Sequence, residues 1–319
     1  MGRFLIRRLL LAIPTLFLIS FVLFAVLSLA PGDPLSQFAA NPAVPPEVRE
    51  NIKRSLGLDQ PWPVRYVKWL TSMAQGDWGF SFGSRVPVWD LIKLRIPSTL
   101  AVVGVAYLVS LILAIPIGIF SAVRQYSPGD HLATTLAFFG FSLPTFFTGL
   151  LLIITFSVKL QWLPFIYDST LQVRDLSTFG IQLKQSIMPI TVLALFQTAT
   201  LVRFTRASVL ENLPLDYVRT ARAKGLAQAR VISGHVVRNS LIPVVTLIAL
   251  TAPQVFSGAL ITEQIFRVPG IGALLVTSIQ NNDTPVIMAI TFTFSVLVVF
   301  FNLVADIMYG VLDPRIRYD

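Results

Sequence analysis

Few side chains in this 319-residue sequence have the chemistry of a catalytic or metal-binding group. Cysteine is absent, which excludes disulfides, thiolate catalysis and cysteine-ligated zinc or iron–sulfur sites. The two histidines, His131 and His235, lie far apart in the sequence and do not suggest a metal site. No lysine is followed by Ser or Thr, as the phosphate-binding P-loop requires. We therefore expect a chain with no cofactor of its own and no ATP hydrolysis.

Basic side chains are concentrated in the segment 203–238, which contains seven Lys and Arg. Pro214 predicts a helix start, and Asp216 falls in the first turn, where the helix dipole favours a carboxylate. Gly225 predicts the helix end, because glycine adopts the left-handed C-cap conformation at little cost. A second helical piece is predicted at Ala227–Ser233. The pattern indicates a short basic helix, a sharp bend and a returning helix.

This short helix needs a support, because about ten residues are only marginally helical alone in water. Leu215, Val218 and Ala221 recur on one of its faces. Two supports are open at this point: lipid headgroups, which bind arginine-rich amphipathic helices, or a groove on another protein. The face is small and has no Trp or Phe, which favours a groove on a partner.

The composition indicates what kind of structural elements position the basic segment 203–238. Apolar residues make up 54% and charged residues 13% of the sequence, against about 25% charged residues in a soluble domain. So few charges cannot cover a globule of this size, and lipid must be part of the solvent. This excludes a soluble enzyme, a disordered chain and a secreted disulfide scaffold.

Six long runs without an ionisable side chain divide the sequence, each 18 to 28 residues long. About 20 residues cross the hydrocarbon core as a helix, whose backbone hydrogen bonds are satisfied internally. The runs are apolar on every face, unlike the alternating strands of a barrel. The predicted fold is an all-α polytopic membrane protein with six transmembrane helices. Its runs are Leu9–Gly32, Ile96–Val123, Leu132–Val158, Gln185–Val202, Asn239–Thr262 and Thr284–Ala305.

The distribution of Lys and Arg predicts that both termini are cytoplasmic, because positive charges stay inside. The resulting division has a cytoplasmic N-terminus with the first helix, an extracytoplasmic helical loop, a five-helix core and a cytoplasmic tail. These parts are 1–32, 33–95, 96–305 and 306–319, and the core contains the cytoplasmic loop 203–238. In the extracytoplasmic loop, apolar periodicity predicts three short helices that begin near Pro46, Pro63 and Pro87.

The runs contain neutral polar groups and no charged group that could bind a coupling ion. We expect some of the polar groups to line a pathway for a polar solute, although each could instead join or bend helices. The candidates are Ser142, Thr145, Gln197, Gln254 and Asn302. Two hypotheses remain open here: a pump that takes its energy from a partner, and a channel or secondary carrier that works without nucleotide. A membrane-bound enzyme ranks third.

The stretch Asp216–Leu226 (DYVRTARAKGL) resembles the EAA-type coupling loop of ATP-binding-cassette (ABC) importer permeases. More narrowly, the chain resembles the oligopeptide and dipeptide permease family over nearly its whole length. The further motifs are APGDP at 30–34, QGDWG at 75–79, RNSLIP at 238–243, EQIF at 263–266, PGIG at 269–272 and DPR at 313–315. Each is weak alone, and their order along six spans makes the resemblance specific.

The coupling loop departs from the broad importer pattern at two places. That pattern reads E-A-A, three residues, G, nine residues, I-x-L-P. The E-A-A positions hold Arg219-Thr220-Ala221, and the glycine position holds Gly225. The I-x-L-P positions hold His235-Val236-Val237-Arg238. The first departure removes any role for a carboxylate at position 219 in the ATPase contact. His235 is interpreted as a polar surface residue.

The resemblance implies a type I ABC importer permease that transports peptides, with nickel or oligosaccharides as alternatives within the family. It implies a homologous second permease, two ATPases that bind ATP and magnesium, and an extracytoplasmic solute-binding protein. It also implies that the chain lies in the lipid bilayer of a bacterial or archaeal cell membrane. No nucleic-acid partner is expected. The implied ATPase-coupling residues are Asp216, Tyr217, Arg219, Thr220, Ala221, Arg222, Lys224 and Gly225. The candidate receptor-facing residues are Asp77, Trp78 and Glu263, although an interfacial aromatic belt or a structural hairpin would also explain them.

Overall fold

The computed structural model describes residues 2–29 and 59–312, except positions 172, 254 and 256–258, together with the isolated positions 47, 50 and 54. The helices in these residues are α1 (Gly2–Leu29), α2 (Trp62–Ala74), α3 (Val88–Thr99), α4 (Val105–Val123), α5 (Pro128–Ser142), α6 (Thr145–Leu152), α7 (Leu176–Asn212), α8 (Asp216–Ala223), α9 (Gln228–Val231), α10 (Arg238–Thr251), α11 (Leu260–Phe266), α12 (Ile271–Gln280) and α13 (Thr284–Leu312). Three π-helical turns, Leu100–Gly104, Ile153–Lys159 and Ile232–Val237, continue α3, α6 and α9. The motifs at 30–34 and 313–315 and the helix predicted from Pro46 lie outside the described residues.

Five helices in the described part of the chain are long and apolar enough to cross a membrane. They are Ile6–Leu29, Val88–Val123, Leu176–Asn212, Gln228–Thr251 and Thr284–Met308. Two further pairs, Pro128–Gly140 with Thr145–Lys159 and Leu260–Phe266 with Ile271–Gln280, bend by 100° and 90° and raise the number to seven if each counts as a span. The prediction of an all-α polytopic membrane protein is confirmed.

The third predicted span is not one straight helix. The run Leu132–Val158 breaks after Ser142, where Leu143 is extended with φ −85° and ψ 127°. Pro144 follows, and proline disfavours the helical conformation of the residue before it. A new helix then begins at Thr145. The absence of charge marked this run correctly as apolar but could not reveal the break.

The fourth span is much longer than the neutral run Gln185–Val202. Helix α7 covers 37 residues because Asp175 begins it ten residues earlier and it continues through Arg203 and Arg206. The Asp175 side chain accepts the Thr178 backbone N–H at 2.8 Å in a capping box. This hydrogen bond lowers the pKa of Asp175. The charged residues therefore extend the helix beyond the apolar run instead of ending it.

The fifth predicted span is displaced along the chain. The helix that contains α10 starts at Gln228 and stops at Thr251, whereas the neutral run covered Asn239–Thr262. The end of that run instead forms α11, which pairs with α12. The returning helix of the basic segment is thus the beginning of this span.

Helix α7 is the centre of the bundle and packs most extensively on α4, with further contacts to α5 and α10. The closest approach is at Gly118, where an added Cβ would lie 2.7 Å from Thr205 Cβ. Small side chains allow this approach, as is typical of helices that associate in lipid. Ala114, Leu201 and Val202 form a buried cluster beside it. The elements that carry the candidate site residues are therefore attached to the tightly packed helices α4 and α7.

The segment that contains α2 and α3 is folded against the bundle. Helix α2 rests on α1 through Tyr66, which is 4% exposed and whose hydroxyl lies 2.9 Å from Ser20 Oγ. The two helices predicted from Pro63 and Pro87 are confirmed as α2 and α3. Helix α3 continues into α4 without an interruption, so the loop and the second span form one unit of 36 residues.

Candidate functional site: the basic elbow and the junction cavity

The basic elbow, residues 213–227, connects α7 to the fifth span. Helix α8 is two turns long, with Asp216 in its first turn and Arg222 in its last. Gly225 has φ +77°, the left-handed conformation predicted for the helix end. The chain then turns at Ala227 and enters α9. The predicted order of short helix, bend and second helix is confirmed.

The apolar face of α8 is buried within this chain. Val218 is 0% and Ala221 is 5% exposed, and both pack in a cluster with Ala122, Val209 and Val231. The prediction that this face rests in a groove on a partner is therefore wrong for Val218 and Ala221, while Leu215, the third residue of the face, is 45% exposed. The support of these two residues comes from Ala122 in α4, Val209 in α7 and Val231 in α9. The sequence pattern could not identify it, because α4 is distant along the chain.

The opposite face of α8 is open. The exposed residues include Tyr217, Arg219, Thr220, Arg222, Lys224 and Gly225. Asp216 lies 3.6 Å from Arg219 in an exposed ion pair, and such pairs contribute about 0–1 kcal/mol. The Tyr217 hydroxyl donates to Asn212 Oδ1 at 2.6 Å and so anchors the elbow to the end of α7. The elbow thus presents a cationic edge on a support made by its own chain.

A partly buried ion pair next to the elbow was missed by the sequence interpretation. Arg206 in α7 donates two hydrogen bonds to Asp130 in α5, each at 3.0 Å. Ser121 in α4 also donates to this carboxylate, which is 3% exposed. The available signal was Ser127-Pro128 three residues before Asp130, because Ser127 caps α5 by accepting the Asp130 N–H. The pair ties α4, α5 and α7 together where the elbow is attached.

Thr145 and Gln197, two of the predicted pathway residues, lie on the wall of the same cavity. We call it the junction cavity; its volume is about 310 Å³, and its other walls include Tyr107, Val255 and Thr262. No Asp, Glu, Lys, Arg or His is among the described residues that line it. The structure thus brings together two side chains that are 52 positions apart in the sequence.

The cavity lies where several spans lose regular α-helical structure. One wall comes from the π-helical turn Leu100–Gly104, one from the start of α6 after the break, and one from Val255 and the start of α11, which belongs to the bent pair α11–α12. The Tyr107 hydroxyl donates to Ile248 O at 2.6 Å near the end of α10. Irregular backbone at membrane depth is tolerated where it is buried in protein or lines a water-filled cavity.

Ser142 and Asn302, two of the other predicted pathway residues, do not line this cavity. Ser142 is exposed at the break between α5 and α6. Asn302 lies in a groove between α1 and α13, where Arg8 and Asp306 form an ion pair at 3.1 Å. Gln254 lies outside the described residues. The structure therefore divides the four described candidates among different surfaces.

Glu263 is 0% exposed, so the expectation that it faces a receptor is wrong. Its Oε2 accepts the Ala273 N–H at 2.8 Å, and its Oε1 accepts the Thr99 hydroxyl at 3.2 Å. Thr99 Oγ1 in turn accepts the Ile271 N–H at 2.8 Å. The carboxylate therefore caps the start of α12, where the helix dipole favours negative charge. This is the structural hairpin that the sequence interpretation kept as the alternative.

Asp77 and Trp78 lie between α2 and α3 and differ in exposure. Asp77 is exposed, and its Oδ1 accepts the Gly79 N–H at 2.9 Å. Trp78 is partly buried and stacks on Trp89, with ring centroids 5.7 Å apart. A buried carboxylate that the sequence interpretation did not single out, Asp283, holds this segment to the start of α13. It accepts the Ser81 hydroxyl, and the Phe82 N–H at 3.0 Å.

Comparison with known proteins identifies the family of this chain. Residues 114–318 match the family described as the binding-protein-dependent transport system inner membrane component. Residues 1–103 match the N-terminal part of such membrane components. The chain belongs to this family. It is a multi-pass transport permease component. The elbow, Thr145 and Gln197 lie within the first of these matches.

Relatives of the permease cover its whole length. It is 42% identical over 322 residues to the oligopeptide transport system permease protein AppB of Bacillus subtilis, with all of both chains covered. It is 36% identical to the dipeptide transport system permease protein DppB of Escherichia coli K12, covering 100% of this chain and 99% of the relative. It is also 38% identical to the glutathione transport system permease protein GsiC of Escherichia coli K12, with both chains fully covered.

Proposed function

We propose that this permease is a transmembrane subunit of an ATP-driven, binding-protein-dependent importer of peptides. The observation that carries the proposal is its full-length similarity to permeases named for oligopeptides, dipeptides and glutathione. In this proposal it forms half of the pathway in a bacterial or archaeal cell membrane, with both termini in the cytoplasm. A homologous second permease supplies the other half, and an extracytoplasmic solute-binding protein delivers the peptide.

The junction cavity is part of the pathway in this proposal. Its neutral lining and its position at the interruptions of several spans support this role, because transporters bind substrates where helices are discontinuous. Thr145 and Gln197 are the pathway residues that we assign to it. Asp77, which is exposed on the extracytoplasmic segment, belongs to the surface that meets the solute-binding protein.

The basic elbow is the contact with the ATPases. ATP binding draws two ATPase subunits together, and the elbow moves with them because its cationic edge is bound to one of them. Tyr217, Arg219, Arg222 and Lys224 supply this contact. Val218 and Ala221 transmit the movement, because they fix the elbow to α4 and α7. The Arg206–Asp130 pair keeps α4, α5 and α7 together, so they move as one body and open the pathway outward.

Nucleotide hydrolysis and product release then return the elbow to its first position. The pathway closes outside and opens to the cytoplasm. ATP and magnesium are bound by the ATPase subunits, and this chain contributes the mechanical connection between their closure and its own spans. Coupling therefore depends on the exposed charges of α8 and on the buried contacts beneath them.

The test is the double charge reversal Arg222→Glu with Lys224→Glu in the complete importer, reconstituted in vesicles. We expect the complex to insert and ATP hydrolysis to lose its dependence on the loaded receptor, while peptide uptake falls at least about tenfold. The matched control is Lys159→Glu, an exposed lysine at the other predicted side of the membrane. Unchanged uptake in the double variant would contradict the coupling role. Uptake against a gradient without nucleotide would instead support a secondary carrier.

A further inference from the structure

The junction cavity combines a neutral, mostly apolar lining with the polar side chains of Thr145 and Gln197, which have no hydrogen-bond partner among the described residues. Thr145 and Gln197 both reach its wall. Within the described residues, neither side chain makes a hydrogen bond, whereas the Tyr107 hydroxyl on the same wall is engaged by Ile248 O. An amide and a hydroxyl in such a place retain their hydrogen-bonding capacity for something that enters the cavity.

The chemistry of these two groups matches a peptide group. The Gln197 amide offers two N–H donors and a carbonyl acceptor, and the Thr145 hydroxyl offers one of each. A peptide group presents one N–H donor and one C=O acceptor. A side-chain amide therefore pairs with it in both directions, as neither an ionic group nor an apolar group does.

The lining also indicates that the cavity does not select substrates by the charge of their side chains. Because no Asp, Glu, Lys, Arg or His lines it among the described residues, the charge of a substrate side chain meets no fixed counter-charge there. Its volume of about 310 Å³ is at the lower end of small-molecule sites. This suits one residue of an extended chain together with its peptide groups.

Given the proposed function, we infer that Gln197 and Thr145 recognise the backbone of the transported peptide. They bind its N–H and C=O groups during passage, while the apolar wall accommodates side chains without regard to their charge. Selection among peptides by side-chain charge is thereby left to the receptor. These residues determine which backbones pass, so chains with blocked amides are disfavoured.

The experiment uses the complete importer in vesicles, with peptides of a length that the receptor binds, at saturating concentration. Four peptides are compared: a neutral alanine peptide, the same peptide with a central lysine, the same with a central glutamate, and the neutral peptide with its central amide N-methylated. Receptor affinity is measured separately for each. Uptake and receptor-stimulated ATP hydrolysis are then recorded for each variant.

For the unmodified importer we expect N-methylation to lower uptake about two- to tenfold, the value of one hydrogen bond. In Gln197→Leu, uptake of all three unmethylated peptides falls by the same two- to tenfold, and the penalty for N-methylation disappears. Thr145→Val produces a smaller loss of the same kind. ATP hydrolysis stimulated by the receptor stays within about twofold of the unmodified importer.

The matched controls are Thr200→Val and Thr148→Val. Thr200 lies on the same helix as Gln197 and donates to Phe196 O at 3.3 Å, and Thr148 lies on α6 and donates to Pro144 O at 3.3 Å. Neither lines the cavity, and both variants are expected to behave like the unmodified importer. If Gln197→Leu does not assemble, Gln197→Glu keeps the size and adds a charge. It should reduce uptake of the glutamate peptide more than uptake of the lysine peptide.

Two results would overturn the inference: an N-methylation penalty that Gln197→Leu leaves intact, or a Gln197→Leu loss that depends on the charge of the peptide. In both cases the unmodified importer still transports peptides with ATP, so the proposed function stands. Failure of the unmodified importer to take up any peptide with ATP and loaded receptor would instead reject the proposed function, and this inference with it.

Discussion

Gly270 provides the sharpest test of how the α11–α12 hairpin is held together. A Cβ built on it would overlap three atoms of Glu263: Cδ, Oε1 and Oε2. The backbone itself accepts alanine, since Gly270 has φ −95° and ψ −179°. The substitution Gly270→Ala therefore introduces a clash with the carboxylate and no backbone strain.

The magnitude follows from the hydrogen bonds that the clash would break. To restore ordinary van der Waals separation, the carboxylate must move by about 1 Å. That displacement takes its bonds to Ala273 N and Thr99 Oγ1, now 2.8 and 3.2 Å, beyond hydrogen-bonding distance. Two bonds to a charged group contribute about 3–6 kcal/mol, and the alanine itself stabilises by about 0.4–1 kcal/mol. We expect a net loss of about 2–5 kcal/mol.

The assay is the free energy of unfolding of the purified permease in mixed micelles, followed by tryptophan fluorescence. The matched control is Gly180→Ala, because no atom lies within 4 Å of a Cβ added there and the residue is helical. It should be neutral or stabilising by about 0.5–1 kcal/mol. In a Glu263→Ala background the Gly270→Ala penalty should disappear, since the clashing group is gone. A Gly270→Ala variant as stable as Gly180→Ala, or a penalty that persists without Glu263, would refute this account.

Two further predictions concern the other buried carboxylates. Arg206→Ala should destabilise the permease by about 3–5 kcal/mol, because it leaves Asp130, 3% exposed, without its counter-charge; unfolding in mixed micelles measures this. Adding Asp130→Asn should recover most of the loss, and no recovery would contradict the ion-pair explanation. Asp283→Ala should release residues 80–87 and accelerate tryptic cleavage after exposed Arg85 at least about tenfold. Asp77→Ala is its control, and equal cleavage rates in the two variants would argue against the role of Asp283.

Most of the membrane architecture could be predicted from local sequence patterns. Long runs without charge identified an all-α polytopic chain, because a helix in lipid must satisfy its own backbone and tolerates few charges. Gly225, Pro63 and Pro87 marked helix boundaries for equally local reasons. Span limits were less accurate, because charged residues such as Arg203 and Arg206 continue α7 beyond the apolar run. Absence of charge therefore reports burial in lipid and not the ends of helices.

Only the tertiary structure decided which surface each side chain occupies. Val218 and Ala221 looked like a docking face, yet they are covered by α4 and α7 of the same chain. Glu263 looked exposed in a loop, yet it caps α12 in the interior. Thr145 and Gln197 meet in one cavity, whereas Asn302 lies elsewhere. The sequence by itself determined that the chain crosses a membrane as helices with a basic elbow, because these properties depend on neighbouring residues. The burial of that elbow and the position of the cavity depend on contacts between residues far apart in the chain, so they required the folded molecule.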